Sequence, residues 1–183
     1  MKHIILVLVM FISMTFGSDA QELSPYLFGQ NFWMEQGTEG GRPGYIHLLW
    51  PEVEASGIQM VRIGGIGYEN HFPNDKKLTA MIDSIRGIGA EPLVQVPRHM
   101  SNEEVTRVVK RFKYKDGQGI RFYSIGNEPI CNNVTEETIN GVHEYLVRLA
   151  PVMKAADPTI KIFVFDACTF YEEAYAALCG RLD

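Results

Sequence analysis

Cysteine is scarce in this chain: three residues, Cys131, Cys168 and Cys179, in a length of 183. So few thiols cannot build the disulfide framework of a small secreted module, and folding must rest on an apolar core. Positive charge is not in excess either. With 17 Lys and Arg against 22 Asp and Glu the formal net charge is −5, which removes the electrostatic footprint of a nucleic-acid binder. The five histidines are scattered and no pair has metal-ligand spacing. Gly64-Gly65-Ile66-Gly67 lacks the strict G-x-G-x-x-G pattern, and there is no phosphate loop. Neither a metal nor a cofactor is therefore expected.

No apolar run reaches the ~20 residues of a membrane-spanning helix. The run at 4–16 follows Lys2 and His3 and precedes Ser18-Asp19-Ala20, which together read as a secretory signal peptide over 1–20. The mature chain, 21–183, is then expected to be secreted or periplasmic, with no membrane partner after cleavage. Its balance of 46% hydrophobic and 21% charged residues suits a soluble globular domain.

Aromatic residues around Phe28, Phe32 and Trp33 predict a first strand over 26–34. A glycine-rich loop follows, then a short helix near 51–56, with Pro51 in its first turn and Gly57 past its end. A second strand is expected at 59–63, broken by Gly64-Gly65 and followed by a loop with Tyr68, Asn70 and His71. Leu78, Met81, Ile82 and Ile85 have helical spacing, and Asn74 or Asp75 is the expected cap. The third strand, 92–96, leads to Ser101 and Glu104, a capping-box pattern opening a helix on Val105, Val108, Val109 and Phe112. The fourth strand, 121–125, precedes a long helix that starts at Thr135. The fifth, 161–165, precedes a helix over 171–178. Strands alternating with helices every 30 to 40 residues or so indicate βα repeats and a parallel sheet, hence an α/β fold.

The fourth strand ends on Ile125-Gly126-Asn127-Glu128-Pro129. Residues just past the carboxyl ends of parallel strands face the active site in such folds. Pro129 fixes φ and forces the chain to turn, so that Glu128 and Asn127 project together. This segment resembles the retaining glycoside hydrolases of clan A, TIM-barrel enzymes whose acid/base glutamate follows an asparagine at the end of the fourth strand.

The resemblance implies that Glu128 is the acid/base and that Asn127 contacts the hydroxyl beside the reacting carbon. Arg62, at the end of the second strand, matches an arginine that orients the nucleophile. The family nucleophile is a second glutamate after a seventh strand, and this sequence reaches only a fifth. A complete (β/α)₈ barrel needs ~250 residues. The chain is therefore expected to be the amino-terminal part of such a catalytic domain, an incomplete barrel of about five βα units that is inactive alone. Its substrate would be a polysaccharide or oligosaccharide. Trp33 is the best candidate for a ring beneath a sugar face, with Tyr68 and Phe72 as further candidates and Trp50 assigned to the core. His99, after the third strand, and Asp166, after the fifth, are further candidate substrate contacts. Cys131 and Cys168 follow adjacent strands and either pair there or remain thiols. The alternative to an enzyme is a non-catalytic open α/β domain of five units that binds a small ligand or carbohydrate at its strand ends.

Overall fold

The computed structural model describes residues 24, 26, 29–32, 49–131, 134–163 and 169–179. Five strands, β1 (Gly29–Phe32), β2 (Met60–Ile63), β3 (Glu91–Val96), β4 (Phe122–Ile125) and β5 (Lys161–Phe163), form one parallel sheet in sequential order. Between and after them lie α1 (Trp50–Ala55), α2 (Ile66–Asn70), α3 (Asp75–Gly87), α4 (Asn102–Arg111), α5 (Glu136–Ala156) and α6 (Glu172–Cys179).

The helices start where side chains replace the hydrogen bonds that a first turn lacks. Asn74 accepts from Lys77 N ahead of α3, at 3.0 Å. Ahead of α4, Ser101 Oγ accepts from Glu104 N at 3.2 Å while Glu104 accepts from Ser101 N at 3.1 Å, the reciprocal box expected from the sequence. Thr135 and Thr138 make the same exchange ahead of α5. The segment 66–70 departs from expectation. It is a single helical turn rather than a loop, because Tyr68 is drawn into the core against Met81 and Glu69 is buried beside it.

The two faces of the sheet differ. Val61 and Ile63, Val94 and Val96, and Tyr123 and Ile125 pack against the apolar stripes of the helices, including Leu78, Ile85, Val108, Leu146 and Leu149. The register pairs Arg62 with Leu93 and Gln95 with Ser124, so the intervening residues share the opposite face. There, each of β2, β3 and β4 steps from an apolar to a polar residue: Met60 to Arg62, Leu93 to Gln95, Phe122 to Ser124. Met60, Leu93 and Phe122 form their own cluster, with the Tyr26 ring edge-on to Phe122 at 5.1 Å. All strands run one way, so the polar ends of these steps collect at the carboxyl edge of the sheet.

Away from that edge, Asp157 follows α5 and is fully buried. Its carboxylate accepts from Thr159 Oγ1 at 2.7 Å, Thr159 N at 3.0 Å and Tyr114 N at 3.2 Å. Burial pushes its pKa up, but these hydrogen bonds and the nearby Lys113 outweigh burial and hold it below the usual carboxylate value.

Candidate active site at the carboxyl ends of the strands

At the end of β4 the chain leaves the sheet through two residues in left-handed backbone conformation. Gly126 has φ +77°, which its missing Cβ permits at no steric cost. Gly126 N still donates to Val96 O at 2.9 Å, so the turn remains tied to β3. Glu128 has φ +39°, a conformation costing a side-chain-bearing residue about 1–2 kcal/mol. It also precedes Pro129, a position that favours extended backbone. Strain of this kind persists only where surrounding contacts over-determine it. The result is an exposed Glu128 side chain next to a buried Asn127.

The contacts run inward from Glu128. Asn127 Nδ2 donates to Glu128 Oε2 at 3.3 Å, and Asn127 Oδ1 accepts from Arg62 Nη2 at 3.0 Å. The same Arg62 nitrogen donates to Gln95 Oε1 at 2.8 Å, an oxygen that also accepts from Gly65 N at 2.7 Å. Gln95 Nε2 in turn donates to Glu69 Oε2 at 3.0 Å. The other Glu69 oxygen accepts from Arg98 N at 3.0 Å and faces Arg98 Nε at 3.2 Å. Arg148 of α5 fixes the loop after β3 from outside, donating to Arg98 O at 2.6 Å and Met100 O at 2.8 Å.

Three of the residues expected from the sequence, Arg62, Asn127 and Glu128, are thus joined in one hydrogen-bonded line. His99 lies outside that line, its side chain 66% exposed with Nδ1 4.0 Å from Glu69 Oε1. Tyr68 and Phe72, candidates for sugar platforms, are not placed as such. Tyr68 is buried against Met81, and Phe72 packs on the helix-side core, as does Trp50. Trp33, Asp166 and Cys168 lie outside the described residues. Cys131 is disulfide-bonded, and Cys179 is an exposed free thiol.

Sequence reasoning missed Gln95 and Glu69. Gln95 had a signal, being the one polar residue among the apolar positions 92–96. Glu69 had none locally, because an acid in the polar stretch 69–71 reads as solvated.

An open groove of about 830 Å³ adjoins this edge, walled by Arg98, Pro129 and the first half of α5, including Glu136, Glu137 and Glu144. Among the described residues, no helix is long and apolar enough to cross a membrane.

No protein-family model matches the chain, and no curated protein matches it in sequence. Solved structures do resemble it in fold. A GH5-4 broad specificity endoglucanase from Clostridum cellulovorans superposes with a TM-score of 0.60 at 15% identity, over 82% of this chain and 55% of that one. AbfB, a family 51 alpha-L-arabinofuranosidase from Bifidobacterium longum, gives 0.61 at 11% identity, over 87% of this chain and 43% of the other. CelM2, a bifunctional glucanase-xylanase protein from a metagenome library, gives 0.54 at 9%, over 76% and 41%. This chain therefore spans between two fifths and just over half of those structures. At such identities the likeness is one of fold: a parallel α/β arrangement shared with TIM-barrel glycoside hydrolases.

Proposed function

We propose that this chain is the amino-terminal part of a secreted clan A glycoside hydrolase. It would supply the first five βα units of a (β/α)₈ barrel, and residues 1–20 would direct export. Sequential strand order with helices gathered on one face supports a barrel, since a doubly wound open sheet reverses its order at a switch point. The observation that carries the functional reading is the placement of Glu128, held at a strand's carboxyl end by Asn127 and, through it, Arg62. The substrate is a polysaccharide or oligosaccharide, whose neutral hydroxyls suit the mixed Glu, Asn and Arg edge.

In this reading Glu128 first donates its proton to the glycosidic oxygen as the bond to the anomeric carbon breaks. A second carboxylate, about 5 Å away, forms the glycosyl-enzyme bond. Glu128, now ionised, takes a proton from water, whose oxygen attacks the same carbon and releases the second carboxylate. That partner belongs after a seventh strand, beyond the five of this sequence. Asn127, its carbonyl turned to Arg62, presents N–H toward Glu128 and the sugar hydroxyl beside the reacting carbon.

The test is Glu128→Ala in the full-length enzyme. Hydrolysis of unactivated polysaccharide should fall about 10²- to 10⁴-fold, the usual contribution of general acid–base catalysis. An activated aryl glycoside should still form the glycosyl-enzyme, and azide, which needs no base, should restore turnover and yield a glycosyl azide of retained configuration. Near-normal activity of Glu128→Ala on unactivated polysaccharide would refute the assignment. A full-length protein that binds oligosaccharide but hydrolyses none would favour the non-catalytic alternative.

A further inference from the structure

We propose that Glu69 is a positioning residue that holds Gln95 and, through it, Arg62 and Asn127 in place beside Glu128; the inference rests on Glu128 being the acid/base. A primary amide is symmetric in shape but not in chemistry, so Gln95 and Asn127 could each sit in two orientations. The correct one turns Asn127 Nδ2 toward Glu128. In the reverse orientation a carbonyl oxygen would face the carboxylate, repel it, and offer no donor to a sugar hydroxyl.

Glu69 is only 3% exposed, and its carboxylate can only accept. It requires Gln95 to present Nε2, which it does at 3.0 Å. Gln95 Oε1 is then left facing two groups that can only donate, Gly65 N at 2.7 Å and Arg62 Nη2 at 2.8 Å. Arg62, so oriented, offers the same nitrogen to Asn127, which must answer with Oδ1, at 3.0 Å. Nδ2 is thereby committed to Glu128, at 3.3 Å. Arg98, through its N–H at 3.0 Å and its guanidinium at 3.2 Å, compensates the buried carboxylate, so Glu69 persists where an unpaired charge would not.

Glu69→Gln keeps the shape but sets an amide N–H₂ against Gln95 Nε2, two donors face to face, which pushes Gln95 away from Arg62. Glu69→Ala removes the anchor entirely. Both variants are to be made in the full-length enzyme and assayed on an unactivated oligosaccharide and on an activated aryl glycoside. A poor leaving group needs the proton of Glu128 and a good one does not, so the ratio of the two turnover rates reads acid catalysis. That ratio is independent of how much protein is folded. In both variants it should fall by about 10- to 100-fold, the range expected when a catalytic group is misplaced by an ångström or less. Equal losses on both substrates, or none, would overturn the proposal.

If the wild-type enzyme hydrolyses no glycoside, the functional reading fails, yet the positioning claim is still testable by crystallography. Glu69→Ala should then show the Gln95 side chain displaced and the Arg62–Asn127 bond lost. A structure with both amides and that bond unchanged would sink it.

Discussion

Gly64→Ala should disable the site with a single methyl group. A Cβ at position 64 would stand 2.7 Å from Gln95 Oε1 and 2.8 Å from Arg62 Nε, while ordinary contact begins near 3.4 Å. The amide oxygen would have to retreat by 3.4 − 2.7, about 0.7 Å. It is not free to do so. Its bonds from Gly65 N at 2.7 Å and Arg62 Nη2 at 2.8 Å would stretch toward 3.5 Å, the limit of a hydrogen bond. Losing one bond from a charged donor costs about 1.5–3 kcal/mol. For a domain of this size that lowers Tm by about 4–10 °C. Under the proposed function, glycoside hydrolysis by the full-length protein should fall further, about 10²-fold, because Arg62 would no longer hold Asn127 in place. Gly141→Ala is the control: nothing lies within 4 Å of a Cβ there, and the helical position should gain about 0.5–1 kcal/mol. Differential scanning calorimetry and steady-state kinetics on both variants decide the matter. Should Gly64→Ala melt with the wild type and turn over at its rate, the tightness of the Arg62–Gln95 contact would have no functional weight.

Tyr123 is fully buried, and its hydroxyl has no hydrogen-bond partner among the described residues. Burial, and then the Asp157 charge, push its pKa far above the ordinary tyrosine value. Tyr123→Phe should therefore raise stability by about 1 kcal/mol, read from urea unfolding, and any clear loss would mean that the hydroxyl has a partner. Asp157 titrates in the opposite direction. Its folded pKa lies below the unfolded value of about 3.9, so its contribution is complete above that pH and is lost as pH falls through the folded pKa. Asp157→Asn would set an amide N–H₂ against Tyr114 N–H, lowering stability near neutrality by about 2 kcal/mol and flattening the acid limb of the stability profile. An acid limb as steep as that of the wild type would contradict this.

What could be read from the sequence follows from the range of the forces involved. Helices α3, α4 and α5 were legible because caps and apolar spacing act within four residues, and Ser101 with Glu104 names its own box. The contiguous strand, glycine, asparagine, acid and proline marked 125–129 as a candidate in the sequence, and the structure joins Asn127 to Glu128 there by a hydrogen bond. Glu69 was hidden because its partners Gln95 and Arg98 lie 26 and 29 residues away. Nothing local says that an acid beside Asn70 will be enclosed. Tyr68 misleads for the same reason: an aromatic residue after two glycines looks free to line a cleft until the turn at 66–70 carries it into the core. The alternation of Arg62, Gln95 and Ser124 within apolar strands was the readable trace of the polar edge, once the register sets them on one face.

The two-residue step along β2, β3 and β4 divides labour between two tiers. Met60, Leu93 and Phe122 make a dry floor, and Arg62, Gln95 and Ser124 each follow two residues farther along their own strand. Charges above such a floor meet less solvent from below, so each hydrogen bond in the upper tier counts for more than it would at a wet surface. The tiers also answer to different demands. Exchanging Arg62 or Gln95 in the upper tier alters the hydrogen-bonded line behind Asn127, while the floor goes on holding the strands together. Changes one storey up, at positions 62 and 95, therefore act on Asn127 and Glu128, while the packing of the floor stays in place.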